Sequence, residues 1–278
     1  MSSYSYADER RPPVRTRIEH YARVLKVVAG VEFKLKYAGS ALGYVWSLVK
    51  PLSYFGVLWV VFGRLFKVGG VRDYPLYLLT GIVMYTFFVD AVSIALPSIV
   101  ARGDILRRLS FPRLVIPISA TLTAGITFLV NTLAVVVFAI FTRVSPSPSW
   151  LLIVPLLLEL YIFILGLALA LSALFVRFRD VIQVWELVSQ LLVFATAVMF
   201  PVLYLPGWFQ IVDFVNPLFQ VIQDVRILLI GPNQGHETIT SVWGTPWARL
   251  VPISVAFGTF GLGLWYFRRE APTIAERL

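Results

Sequence analysis

Apolar residues in this chain do not alternate with polar ones. They run in long blocks, at 44–66, 75–99, 115–141, 151–175, 181–205 and 247–267. A helix needs about 20 apolar residues to cross a bilayer core, so each block predicts a transmembrane helix. A membrane barrel would show ten-residue segments of alternating polarity instead. The fold expected is all-α, with six transmembrane helices in one domain spanning 1–278. Two further stretches do not fit the block pattern. Between 208 and 230 the chain is long enough to cross, yet it carries Asp213, Gln220, Gln223, Asp224 and Arg226, and Asn216-Pro217 breaks it. A charged residue at mid-bilayer costs about 2.5–3.5 kcal/mol on insertion scales. The segment therefore predicts two short half-helices that dip in from the outer face, tolerated where protein buries them. Over 17–37, Val24, Val28, Val31 and Leu35 recur on one helical face, with Arg23, Lys26 and Lys34 off it. That spacing predicts a basic amphipathic helix lying in the cytosolic interface.

Charge assigns the sides. The segments 1–43, 101–114, 176–180 and 268–278 hold 17 of the 24 Lys and Arg and 8 of the 15 Asp and Glu, so the whole net charge of +9 sits in them. The positive-inside rule places them in the cytosol, with both termini inside and an even number of crossings. The first long apolar run begins only near Leu42, and no cleavable signal pattern precedes it. Hydrophobic residues make up 58% of the chain and charged residues 14%, against about 25% charged in an ordinary soluble domain. This excludes a soluble enzyme and a nucleic-acid-binding module. With no cysteine and only His20 and His236, thiolate chemistry and a histidine metal cluster are excluded as well.

The cytosolic segment at 101–113 reads ARGDILRRLSFPR. Asp104 suits a helix N-cap, and Pro112 disfavours helix at Phe111. Ile105, Leu106 and Leu109 form one apolar edge beside Arg107 and Arg108. Such a helix suits docking into a groove on a cytosolic partner; the plainer reading is an ordinary basic connector.

Several motifs occur in order over residues 31 to 231. Ser40, Leu42-Gly43, Trp46 and Pro51-Leu52 lead into the first block. Leu79-Thr80-Gly81, Phe111-Pro112-Arg113, Arg179-Asp180 and Asn216-Pro217-Leu218 follow. The ordered set resembles the ABC-2-type permeases that export O-antigen, teichoic acid or galactan. Two departures stand out. Phe200-Pro201 replaces a serine–proline pair, and Gly103-Asp104 with Arg107-Arg108 replaces an asparagine with paired lysines. The resemblance implies a permease subunit that works as a homodimer, with 101–113 as the coupling helix to a nucleotide-binding ATPase. No phosphate-cradling G-x-x-x-x-G-K-[ST] loop occurs here. No cofactor is expected on this chain, and ATP and Mg belong to the partner subunit. The implied cargo is a lipid-linked polysaccharide.

Aromatic residues make up 15% of the chain. Phe55, Trp59, Phe62 and Phe66 recur at 4, 3 and 4 on the first block. Aromatic faces let sugar rings slide; the alternative is contact with lipid or a neighbouring helix. The resemblance puts the first and fifth spans beside the conduit, with Tyr85, Phe88, Phe194, Phe200 and Tyr204 as further candidates. Asp90, Glu159 and Glu186 fall inside blocks, where acids mark functional sites by default. Asp90 is retained as a candidate. Glu159 and Glu186 are discounted as near span ends, with Lys50 or Arg177 as structural partners. Two other function classes remain to be weighed. A proton-coupled secondary transporter would show inverted repeats, and a membrane-embedded transferase would show clustered acids or histidines.

Overall fold

The computed structural model describes Leu25, Gly30 and residues 45–66, 73–103, 113–231 and 238–277. The interface helix expected at 17–37, those two residues apart, and the coupling residues Asp104, Ile105, Leu106, Arg107, Arg108 and Leu109 lie outside the described residues. Among the described residues every regular element is helical and no strand occurs. Among the described residues five helices are long and apolar enough to cross a membrane. They are Val45–Leu65 (α1), Tyr74–Ala95 (α2), Val115–Phe141 (α3), Pro148–Arg177 (α4) and Pro246–Thr273 (α8). The shorter elements between α4 and α8 include Val181–Ala195 (α5), Gly207–Asp213 (α6) and Pro217–Ile230 (α7).

α2 is the post of the bundle. Apolar residues surround most of its length, and such a helix belongs in the interior. Leu76, Tyr77, Leu78 and Leu79, four residues in succession, have no exposed surface. α1, α3, α4, α5 and α7 all pack against it. α8 instead lies along α4, and two glycines set that approach. A Cβ on Gly166 would fall 2.5 Å from the Phe260 backbone, and one on Gly263 would collide with the Gly166 carbonyl. Small residues that let helix backbones touch are the main source of packing energy where lipid removes the hydrophobic drive.

The fifth apolar block departs from expectation. Its helix stops at Ala195, and 15 residues give only about 22 Å of rise, short of a ~30 Å core. The chain then turns through Thr196–Phe200, with Ala197 at φ +44°, and Pro201 and Pro206 bar a helical continuation. The region 208–230 does split where the sequence breaks it. Asn216 caps α7 by accepting from the Leu218 amide at 3.0 Å, and Pro217 occupies the first helical position. Every residue from Pro217 to Arg226 is buried. Protein, not solvent, surrounds the polar groups on that helix. α1 also changes character. Pro51 lies inside it, and from Trp59 to Leu65 the turns widen to π geometry. The 4-3-4 aromatic spacing is an α-helical period, so the π segment rotates its later members off the common face.

The α4–α8 contact yields a direct expectation. Gly166→Val will cost folded, monodisperse protein and lower its melting temperature, because the Phe260 backbone cannot retreat. Gly258→Ala, at a position open within 4 Å, will leave both unchanged. Thermal melts followed by size-exclusion chromatography in detergent check the pair.

Candidate functional site

Two helix faces on this bundle are left outward and are not plain hydrocarbon. On α5, Gln183, Glu186, Leu187, Gln190 and Phe194 are exposed along one stripe. Trp185 and Val193 on the opposite side are buried. Three polar side chains on an otherwise membrane-type helix call for a watery or polar neighbour. On α1, Trp46, Lys50, Ser53, Tyr54 and Val57 face outward. Tyr85 of α2 lies between the two helices. Its hydroxyl donates to the Ser189 carbonyl of α5 and sits within electrostatic range of Tyr54 on α1.

The structure separates the aromatic candidates. Phe55 is buried in an edge-to-face contact with Phe138, centroids 5.3 Å apart. It faces the core, not the outward face of α1. Trp59 and Phe62 are half-buried, with Arg64 over the Trp59 ring at 5.2 Å. Phe66 is exposed, 5.9 Å from Phe62. Phe88 is buried, stacked on Phe163 and tilted against Trp185. Phe194 and Tyr204 are exposed; Phe200 is half-buried, and its carbonyl accepts from Tyr77 Oη at 3.2 Å. The outward aromatics missed by the sequence reading are Trp46 and Tyr54. Trp46 begins an exposed 4-3-4 set with Lys50, Ser53 and Val57, and Tyr54 stands beside Ser53 on the same outward side. An apolar cavity of about 650 Å³ opens between α2, α4, α5 and the start of α7, lined by Phe88, Phe163, Trp185, Val188, Leu192 and Pro217.

Behind this face sits a buried arginine. Arg226 on α7 has no exposed surface. Its Nε donates to the Tyr77 carbonyl at 3.1 Å, Nη1 to Ala197 at 3.0 Å and Nη2 to Val198 at 2.7 Å. The guanidinium also lies 3.5 Å over the Tyr77 ring. It thus satisfies carbonyls that the turn after α5 leaves without helical partners, including that of the left-handed Ala197. Gly81 makes the space, since any Cβ there would strike the guanidinium. The Leu79-Thr80-Gly81 motif and Arg226 were both visible in sequence, but nothing linear connects them.

The intramembrane acids differ from expectation too. Asp90 is half-buried and engaged within the protein. Glu186 is exposed on the α5 stripe, and Lys50 and Arg177 are both exposed. Glu159 is buried and pairs with neither Lys50 nor Arg177. It lies within electrostatic range of Asp224 and Arg249, which form an ion pair at 3.2 Å. The pairing expected with Lys50 or Arg177 is replaced by one with groups of α7 and the lead-in to α8, which bring charge to Glu159 that its own helix does not carry.

Five helices long and apolar enough to cross a membrane, with outward polar-aromatic faces, describe a multi-pass membrane protein among the described residues. Residues 23–230 match the ABC-2 type transporter family, and the chain belongs to that family. It is similar to an O-antigen export system permease protein, RfbA, of Klebsiella pneumoniae, at 29% identity over 223 residues, 80% of this chain and 86% of that one. A permease of the same name from Myxococcus xanthus is 27% identical over 173 residues, 61% of this chain and 65% of that one. Family membership displaces the secondary-transporter and transferase readings.

The arginine clamp is testable by replacement. Arg226→Lys keeps the charge and loses the fork, leaving carbonyls with no donor at about 1–3 kcal/mol each. It will lower the melting temperature in detergent by several degrees. Gly81→Ala will do the same by displacing the guanidinium, and the double variant will be no worse than Arg226→Lys alone, since both remove one contact set.

Proposed function

We propose that this chain is the permease subunit of an ATP-driven exporter that moves a lipid-linked polysaccharide of the O-antigen, galactan or teichoic acid type outward across the cytoplasmic membrane. The observation that carries the reading is the outward pair of faces on α1 and α5, polar and aromatic together, on either side of Tyr85. The names borne by the Klebsiella and Myxococcus relatives support the cargo class. Two copies would bring these faces together around a shared conduit. Glutamines and a glutamate offer hydrogen bonds to hydroxyl groups, while Tyr54, Phe194 and Tyr204 offer ring faces. Neither grips a moving polymer tightly, because each sugar unit exchanges one similar contact for the next. The apolar cavity beside Phe88 and Trp185 suits the lipid end of the cargo.

In this reading α5 and the turn behind it complete a sixth crossing, and α6 and α7 dip in from the outer face. Both termini lie in the cytosol. The 17–37 helix rests in the inner interface, and 101–113 meets the nucleotide-binding subunit, which holds ATP and Mg. Nucleotide-driven closure of two such subunits would push on the coupling segments and change the spacing of the α1 and α5 faces.

The coupling segment is the most exposed part of the proposal. Fully burying one large apolar side chain contributes about 1.5–3 kcal/mol. Ile105→Asp with Leu109→Asp will therefore abolish co-purification of the tagged permease with its ATPase and stop export. Charge reversal at Arg107 and Arg108 will do less, since exposed ion pairs contribute about 0–1 kcal/mol each. Retained binding and turnover in the double aspartate variant would contradict the assignment. For the conduit, Tyr54→Ala with Phe194→Ala will lower export of the glycan while membrane expression stays normal; unchanged export would return these rings to lipid contact.

A further inference from the structure

Outside the conduit, α4, α7 and α8 enclose a second cavity of about 330 Å³. Its walls include Leu152, Leu158 and Phe257, each more than half exposed, so it opens sideways among lipid-facing residues. Its inner end is charged. Glu159 and Arg249 line it, and Arg249 reaches on to Asp224 at 3.2 Å. Glu159 is only 8% exposed, and its Oε1 accepts no hydrogen bond among the described residues. The same holds for Asp224 Oδ1 and Gln220 Oε1. When both are ionised, two carboxylates against one guanidinium leave one negative charge that only a proton or a further cation can offset. Every orphaned oxygen is an acceptor, so the complement is a cation rich in N–H donors. A primary ammonium has three. The Arg249 side chain is 48% exposed, which leaves its fork partly open to an anion beside that ammonium. A carboxylate and a half-open guanidinium lining one lipid-facing cleft suit a ligand that carries a cation beside an anion, which is the chemistry of an aminophospholipid headgroup.

We propose that this cleft binds phosphatidylethanolamine, with its ammonium on Glu159 and its phosphate on Arg249. Acyl chains lie along Ile162, Ile253 and Phe257, further into the bilayer on the same two helices. Glu159 stands 11 residues beyond Pro148, about 16 Å along α4. By the topology proposed above that is the outer-leaflet half; binding itself does not depend on that assignment or on the cargo. The bound lipid would tie the start of α8 to α4 and, through Asp224, to α7.

The test uses the full-length permease in detergent, with lipid retention read by native mass spectrometry. Phosphatidylethanolamine, phosphatidylcholine and phosphatidylglycerol with identical acyl chains are compared. The first should be retained at least tenfold more tightly. Phosphatidylcholine lacks the N–H donors and phosphatidylglycerol lacks the cation. Glu159→Gln should bring the three within about twofold of one another, and Arg249→Gln should weaken phosphatidylethanolamine as well. Equal retention of the three by the wild-type protein, which needs no variant, would overturn the proposal. So would a preference that survives Glu159→Gln. Soluble phosphoethanolamine binding as tightly as the lipid would overturn the lipid assignment in favour of a free amino-phosphate ligand.

Discussion

The guanidinium of Arg226 closes a gap that the backbone cannot close for itself. A chain inside a bilayer must satisfy its carbonyls internally, which helices do and turns do not. When α5 stops at Ala195, the turn that follows depends on donors from elsewhere. Arg226 supplies them to Ala197 and Val198 and takes a third carbonyl from Tyr77 of α2. Much of the architecture follows from that. α7 must lie buried against α2, Gly81 must lack a side chain, and α2 must sit at the centre with α1 and α5 on its flanks. A buried charge of this kind is paid for by geometry: its donors meet carbonyl dipoles and its face meets a ring.

That arrangement bears on transport. The broken fifth segment is held to α2 on both sides of Ala195, by the clamp after it and before it by Trp185 Nε1, which donates to Ser93 Oγ at 2.8 Å. The exposed α5 stripe, with Gln183, Glu186 and Gln190, is thus carried on a short helix whose exit is fixed. Tyr85 ties the same helix to α2 through the Ser189 carbonyl. The α4–α8 pair, locked by Gly166 and Gly263, forms a wall that α4 also seats against α2 and α7. Motion that alters the α1–α5 spacing would leave that wall intact.

Much of this was legible in the chain itself. Hydropathy blocks located α1 to α4 and α8 within a few residues, because length and apolarity alone decide a crossing helix. Asn216-Pro217 marked the division between α6 and α7, since a cap followed by proline is a local signal. The block at 181–205 misled because hydropathy cannot see a turn: Thr196–Phe200 is as apolar as a helix, and only the prolines at 201 and 206 hint at the break. The aromatic stripe misled for a related reason. Its spacing was helical, but which face of a helix turns inward depends on neighbours such as Phe138, and π turns from Trp59 onward changed the period. Glu159 was discounted from its position in one helix, whereas its surroundings come from Asp224 and Arg249, 65 and 90 residues away.

Everything proposed for the α1 and α5 faces depends on transport by this chain together with a separate ATPase. The direct measurement uses inside-out membrane vesicles carrying the permease and its ATPase, with a labelled lipid-linked glycan presented on the outside and protection from an added glycosidase as the readout. The account predicts that glycan becomes protected only when ATP, the ATPase and the permease are all present. Protection without the ATPase, or none with all three, would contradict it.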